Sequence, residues 1–470
     1  MCPFSVITRF WIVFLVILTL IRYVYSKAEI NALWNITCEP NNPTLYVDET
    51  ISINCNVTGT EGDNDYYLQI QSQDTNILST DKKVLMVTDS LADFSTAQFN
   101  MTGNFLGRTS VSMKVQKDAT TYHNGTMHVR VIRRQRIIDH IFVASVATLV
   151  SLIYINFGCA LDWSELRAGL RRPIGPAIGF ISQFVFMPLL SFGLGKLLFP
   201  NNTDMQLGMF FAGVAPGGGA SNMWTVILGG NLPLSITMTT ISNIAAFAMM
   251  PLWIFTLGKQ IFDESDIPVP YMEITTYAVA LVVPLFIGYL IQRYLKRIAR
   301  FLAKILKGFS SCLLIFIIIF AIVTNLYLFE LFSWRIVVSG LGLPWLGYIL
   351  AWCFAKICRQ NYKDALTIAI EAGIQNTGIS IFLLRTVLPA PEGDLTTVAP
   401  VAVATMTPIP LFLLYIYQKL NERFCKRDGD EIIVNEQESD GQEICKDDEN
   451  VKQKLEASST MKSSDKNCSK

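Results

Sequence analysis

Two membrane-length hydrophobic segments of this chain are interrupted by glycine and polar residues: PGGGASN at Pro216 to Asn222, and EAGIQNTG at Glu371 to Gly378. An unwound stretch in lipid leaves backbone N–H and C=O groups without partners, at several kcal/mol each, so it survives only where it lines a polar cavity. Broken helices in corresponding places of two halves of a membrane protein are the sequence mark of a secondary transporter's substrate and ion site. The breaks therefore constrain both the fold, an all-α polytopic bundle, and the place where its chemistry sits.

The composition agrees with a membrane chain: 51% of its 470 residues are hydrophobic and 16% charged, against roughly 25% charged in soluble domains. Residues 1–26 hold Arg9, an apolar run from Phe10 to Ile21 and then Val24-Tyr25-Ser26, the pattern of a secretory signal peptide. An uncleaved signal anchor is the alternative, and it too places the succeeding region outside the cytosol. Residues 27–136 are rich in Asn, Thr and Asp and carry period-two runs such as TSVSMKVQ (Thr109 to Gln116) and TMHVRVI (Thr126 to Ile132). Such alternation predicts half-buried strands, and turn signals at Asn41-Asn42-Pro43 and Glu61-Gly62-Asp63 fit a small β-sandwich. Sequons at Asn35, Asn56, Asn100 and Asn124 predict a glycosylated extracellular or lumenal domain. Cys38 and Cys55, the two cysteines of this region, predict a disulfide in an oxidising compartment, with a reduced core pair as the alternative.

Beyond Arg136, nine apolar segments are long enough to cross about 30 Å of hydrocarbon: 138–158, 175–197, 205–228, 232–257, 272–292, 309–331, 336–357, 364–387 and 395–417. An odd number places the ends on opposite sides, which puts the C-terminus in the cytosol. The predicted inner loops and the start of the tail carry sixteen Lys and Arg residues, among them Arg167, Arg171, Arg172, Arg293, Arg297 and Arg359. The outer loops and outer ends hold Lys196, Lys259, Arg335 and Arg385, so the positive-inside bias agrees, and a fifth sequon, Asn201, also falls outside. Arg130, Arg133, Arg134 and Arg136 run against the bias at the outer end of the first span. A translocated domain led by a signal sequence overrides such charges. The broken segments are the third and eighth, five apart and hence of opposite direction, as an inverted repeat that lacks one helix would generate.

Glu371 is the one acidic residue in the interior of any of these segments, with no Lys or Arg within five positions. A buried carboxylate needs a partner or a water-filled cavity. A bound cation is one solution and protonation another, with a hydrogen-bonded neutral acid as the structural alternative. The ligands available around it are neutral oxygens: Gln375 and Asn376 on its own segment, Ser221 and Asn222 on the other break, Ser235 and Thr239 on the fourth span. Such a set suits a hard monovalent cation better than zinc or copper. Ser235, Thr239, Ser242 and Asn243 share one helix face, which in a bilayer also serves helix–helix hydrogen bonding. Gln183 is a lone amide in an apolar helix, and Gly217, Gly218 and Gly219 after Pro216 either unwind the chain or allow close packing. No histidine spacing suits a metal, and no catalytic triad or phosphate loop is present, so the chain reads as a non-enzyme without organic cofactor or nucleic-acid partner.

From about Asn156 to Tyr417 the chain resembles the bile acid:sodium symporters, solute carrier family 10, through NFGCALDWSELRAGLRRP, SQFVFMPLLSFGLG, GVAPGGGASNMWTVILGG, LSITMTTISNIAAFAMMPLW and EAGIQNTG. With its signal peptide and glycosylated ectodomain, it is similar to the branch with a large extracellular N-terminal region. The resemblance implies a panel bundle on a core bundle in which the two broken helices cross, with two sodium ions behind the crossing. One sodium site would use Ser221, Asn222, Ser235, Thr239 and Glu371, and the other Gln183, Glu371 and Gln375 with carbonyls near Ala372 and Ile374. The implied substrates are amphipathic organic anions of the bile acid or sulfated steroid class, and a homodimer is compatible with this reading. Where the family usually has an acidic residue in the loop before the fourth span, this chain has Gly230-Asn231, which removes a carboxylate near the inner mouth.

The expected organisation is thus signal peptide 1–26, β domain 27–136, symporter-like membrane domain 137–418 and a disordered cytoplasmic tail 419–470, whose acidic, serine-containing composition lacks core-forming residues. The plasma membrane is the expected address. Two functions are carried forward: a sodium-coupled symporter of an organic anion, and a receptor-like or accessory membrane protein acting through its ectodomain, the latter motivated by Asn231 and the extra domain.

Overall fold

A computed structural model describes residues 35–58, 66–87, 94–117, 120–160, 167, 171, 173–265, 267–302 and 333–423. The signal-peptide reading, the segment 309–331, the Glu61-Gly62-Asp63 turn and the tail beyond 423 lie outside the described residues. Nine strands come first: β1 (Asn35–Glu39), β2 (Thr44–Tyr46), β3 (Thr50–Thr58), β4 (Tyr66–Ser72), β5 (Leu78–Thr80), β6 (Val84–Val87), β7 (Phe94–Gly103), β8 (Gly107–Lys117) and β9 (Thr120–Ile132). They form one sheet of order β1-β3-β7-β5 and another of order β2-β9-β8-β4-β6, antiparallel except for the β2–β9 pair. Alternation puts Ile53, Cys55 and Val57 of β3 inward against Leu68 and Ile70 of β4 and Val111, Met113 and Val115 of β8, so the two sheets share one core. Cys38 stands opposite Cys55 across the β1–β3 ladder, and the two are disulfide-bonded. The sequon asparagines Asn35, Asn56, Asn100, Asn124 and Asn201 are all exposed.

The remaining described chain is helical. Six helices are long and apolar enough to cross a membrane: α1 (Ile137–Ala160), α2 (Ile174–Leu198), α5 (Leu232–Glu264), α6 (Tyr271–Tyr294), α7 (Trp334–Ile357) and α10 (Glu392–Arg423). They correspond to six of the nine expected segments, and α10 extends five residues into the stretch assigned to the tail. The two interrupted segments are each a pair of short helices: α3 (Thr203–Val214) with α4 (Ala220–Ile227), and α8 (Tyr362–Gly373) with α9 (Thr377–Val387). Asparagines start three of these elements, each accepting from a first-turn N–H: Asn202 from Met205 N, Asn231 from Leu234 N and Asn361 from Asp364 N.

The helices fall into two packing groups. α1 packs chiefly against α6, where Gly158 and Gly288 bring the two backbones so close that a Cβ at Gly288 would overlap Ile155 O. The other helices gather around the two breaks, and the α1–α6 pair meets them along α5 and α9.

Candidate functional site

The two breaks cross each other. α3 ends where Ala215 turns extended ahead of Pro216, and α8 ends where Ile374 does the same. Gly217 and Gln375 then form an isolated antiparallel bridge: Gly218 N donates to Ile374 O at 2.7 Å, and Asn376 N donates to Pro216 O at 2.8 Å. Ser242 Oγ on α5 accepts from Gly217 N at 2.8 Å. Backbone groups that unwinding would orphan are thus satisfied by the opposite break, which is what lets irregular chain persist at this depth. Proximity favours glycine at both positions, against backbone at Gly218 and against the end of a side chain at Gly217. A Cβ at Gly217 would lie 2.8 Å from Glu371 Oε1, and one at Gly218 would lie 2.9 Å from Gln375 O.

The unwound stretches are shorter than the sequence suggested. Ser221 and Asn222 already lie in the first turn of α4, and Glu371 to Gly373 still belong to α8, so the breaks reduce to 215–219 and 374–376. The mutual bridge explains this, since a few extended residues per side suffice for two helices to pass.

Glu371, in the last turn of α8, is 2% exposed. Its Oε1 accepts from Thr239 Oγ1 at 2.6 Å and its Oε2 from Ser235 Oγ at 3.2 Å. Thr239 and Ser235 stand one turn apart on α5, with Ser242 and Asn243 continuing the same face, so that face is spent on the crossing. Ser221 Oγ neighbours the carboxylate without meeting hydrogen-bond geometry. Gln183 lies in a π-helical turn of α2, Ser182–Phe186, a local widening frequent at functional sites. Its Nε2 donates to Ala215 O at 2.7 Å and to Gln375 Oε1 at 2.8 Å, and Gln375 Nε2 donates to Ala372 O at 2.6 Å.

Two clusters result, Glu371–Ser235–Thr239 and Gln183–Gln375, side by side at the crossing. Asn222 makes no hydrogen bond to either among the described residues. Its Oδ1, Ser221 Oγ, Gln183 Oε1 and Asn243 Oδ1 are buried acceptors without a hydrogen-bond partner. Unpartnered buried oxygens are rare and costly, and three of these four belong to the expected sodium-ligand set. No ion pair to Glu371 occurs among the described residues, so hydroxyl dipoles are its main polar partners. Oxygen donors around one unpaired carboxylate fit a small hard cation.

Sequence reasoning missed two features. At the far end of the same helix faces, Asn231 Nδ2 donates to Asp364 Oδ1 at 2.7 Å and Asn231 N donates to Thr367 Oγ1 at 2.7 Å. A carboxylate therefore does stand at the loop that lacks one, supplied by α8; its position seven residues before Glu371, on the same face, was the available signal. At the opposite end of the bundle, Glu392 and Asp139 are also buried, so Glu371 is not the sole buried acid, but both are paired with arginines. These pairs also account for Arg133 and Arg136, which break the positive-inside pattern: both bind Asp139.

Among families of known proteins, the Sodium Bile acid symporter family matches residues 147–330. A hepatic sodium/bile acid cotransporter of Rattus norvegicus is 30% identical over 249 residues, 51% of this chain and 67% of that protein. An ileal sodium/bile acid cotransporter of Oryctolagus cuniculus is 33% identical over 49% of this chain and 65% of its own length. The P3 protein of Homo sapiens is 28% identical over 54% of each chain, so the match spans little more than half the length of that relative. A solved C. elegans MSP family member aligns with 21% of this chain at 13% identity and a TM-score of 0.16, too low to carry a fold assignment.

Proposed function

We propose that this chain, which belongs to the sodium bile acid symporter family, couples sodium entry to uptake of an amphipathic organic anion of the bile acid or sulfated steroid class. The observation that carries the reading is Glu371: a buried carboxylate at the crossing of two broken helices, held by Ser235 and Thr239, without an ion pair among the described residues and beside unpartnered oxygens.

In this reading Glu371, Ser221, Asn222, Ser235 and Thr239 hold one sodium ion. Gln183, Glu371 and Gln375 hold a second, with the remaining lone pairs of Ala372 and Ile374 carbonyls. Sodium offsets the carboxylate charge and ties α5 and α8 to the crossing, which favours the access state that binds the anion. Rocking of the α1–α6 side against the crossing-helix side then exchanges access. We further read the bundle as nine passages built on an inverted repeat, with the glycosylated sandwich outside the plasma membrane and the C-terminus in the cytosol.

The alternative, a receptor-like protein whose helical core no longer transports, is motivated by the extra folded domain and by the carboxylate absent at Asn231. Asp364 stands 2.7 Å from Asn231 Nδ2 and keeps an acidic group at that mouth, which favours the symporter. The test is uptake of taurocholate and of a sulfated steroid into proteoliposomes under an inward sodium gradient. Sodium-dependent uptake that Glu371→Gln abolishes is expected; equal uptake with choline in place of sodium would defeat the proposal.

A further inference from the structure

On the sandwich side of the bundle, shielded carboxylates of the helices meet arginines of the β domain and of the linker between it and α1. Arg108 of β8 sets Nε 3.1 Å from Glu392 Oε1 and Nη2 3.4 Å from Asp204 Oδ1, and Nη1 donates to Ser265 O at 3.0 Å. One side chain of the sandwich thus touches the start of α3, the end of α5 and the start of α10. All three belong to the crossing-helix group, so the sandwich is mounted on that group.

Its linker does something else. Arg133, between β9 and α1, donates from Nη1 to Asp139 Oδ2 on α1 at 2.7 Å and from Nε to Asp394 Oδ2 on α10 at 3.1 Å. Asp394 in turn binds Arg385 at the end of α9, the second half of a broken helix, at 3.1 Å. Arg133 and Asp394 are each 14% exposed in their side chains and Arg385 is 6%. Because α1 packs chiefly on α6, Arg133 is a strap between the two packing groups at their outer edge.

We propose that Arg133 and Asp394 form an outer latch, positioning residues of the transport cycle: the linker of the β-sandwich holds the α1–α6 group against the crossing-helix group, and opening toward the sandwich side requires their ion pair to break. The inference rests on the symporter reading, in which these two groups rock. Shielded pairs carry more weight than exposed ones because less solvent screens them. Opening need not strand a buried charge, since Asp394 keeps Arg385 at 3.1 Å and Arg133 keeps Asp139 at 2.7 Å. That retained partnering is what makes the pair breakable in a working cycle, and it also lets single variants fold.

The test uses full-length protein in nanodiscs, with every cysteine except the disulfide pair Cys38 and Cys55 replaced by serine and spin labels at Ile137 and Leu197. These positions are 81% and 75% exposed, on α1 and α2, and lie outside the latch. Interspin distances separate closed from open outer edges. Arg133 meets Asp394 through two hydrogen bonds, Nε to Oδ2 at 3.1 Å and Nη2 to Oδ1 at 3.4 Å, so Arg133→Gln and Asp394→Asn are each expected to raise the open-to-closed ratio at least roughly tenfold, and the double variant to add nothing further. Asp139→Asn, which leaves the Arg133–Asp394 pair in place, is expected to move the ratio far less. An effect of Asp139→Asn equal to that of Arg133→Gln would mean that Arg133 only braces the start of α1, and an unchanged ratio in Asp394→Asn would overturn the latch. Sodium-dependent thermal stabilisation of the same samples tests the symporter reading separately: its absence would sink that reading, while the distance ratio would still decide the latch.

Discussion

Replacing Glu371 by glutamine removes one charge and almost no volume. The retained amide oxygen still accepts from Thr239 Oγ1, now 2.6 Å from the carboxylate, and the Ser235 hydroxyl, at 3.2 Å, rotates to accept from the new N–H. Packing therefore changes little, and the buried carboxylate's desolvation cost disappears, so the sodium-free variant is expected to be at least as stable as the parent. The effect falls on the cation. A unit charge about 4 Å from a carboxylate at an effective dielectric near 20 gains about 4 kcal/mol, roughly a thousandfold in affinity. At sodium a hundred times the parent's Kd, binding stabilises the parent by about 2.7 kcal/mol; with Kd a thousandfold weaker, the same salt gives the variant below about 0.1 kcal/mol. The assay is thermal unfolding of purified protein in sodium against choline at constant ionic strength. A sodium-dependent rise in Tm in the parent that vanishes in Glu371→Gln is expected. An undiminished rise in the variant would refute the placement of the cation at this carboxylate.

Other expectations come from the same geometry. Gly218→Ala places a methyl against backbone, 2.9 Å from Gln375 O, and should cost roughly 1–3 kcal/mol and sodium-dependent stabilisation together. In Gly217→Ala the clash is with the end of the Glu371 side chain, at 2.8 Å, so sodium affinity should fall more than sodium-free stability; parallel melts with and without sodium separate the two. Asn231→Asp sets two carboxylates where a 2.7 Å hydrogen bond now joins Asn231 and Asp364, and should cost roughly 1–3 kcal/mol at neutral pH, read as a lowered midpoint in thermal unfolding. Removing the Cys38–Cys55 bridge, which spans 17 positions in sequence, should lower sandwich stability by about 3 kcal/mol, read as the midpoint shift of denaturant unfolding.

The two breaks and the carboxylate beside them could be read from residue types because each carries a physical signature, whereas their crossing was implied only by the family resemblance. Pro216 with three glycines cannot continue a helix, and Glu371 among apolar neighbours cannot go unanswered in a bilayer. The alternation of Thr109 to Gln116 and of Thr126 to Ile132 is equally local, and these two runs fall within β8 and β9. What escaped was pairwise. The bridge between Gly217 and Gln375 shortens both breaks, yet neither segment alone reveals that the other satisfies it. Arg108, Asp204 and Glu392 each look like an ordinary charge in a turn or at a helix end, and only the fold makes them neighbours. Asp364 reads locally as the third residue of a capped helix, accepting from Asn361 Nδ2 at 2.7 Å; its second partner, Asn231, comes from a different helix.

The bridge between the two interruptions has a bearing on biogenesis. Each passage lends the other backbone partners it lacks, so the first to leave the ribosome enters lipid with Pro216 O and Gly218 N unanswered until the segment around Gln375 arrives much later in synthesis. A nascent chain stalled between the two is therefore an assembly intermediate with polar main chain facing hydrocarbon, the kind of defect that membrane chaperones and quality-control proteases recognise. Truncations upstream of Ile374 should accordingly be cleared, however well their β-sandwich has matured.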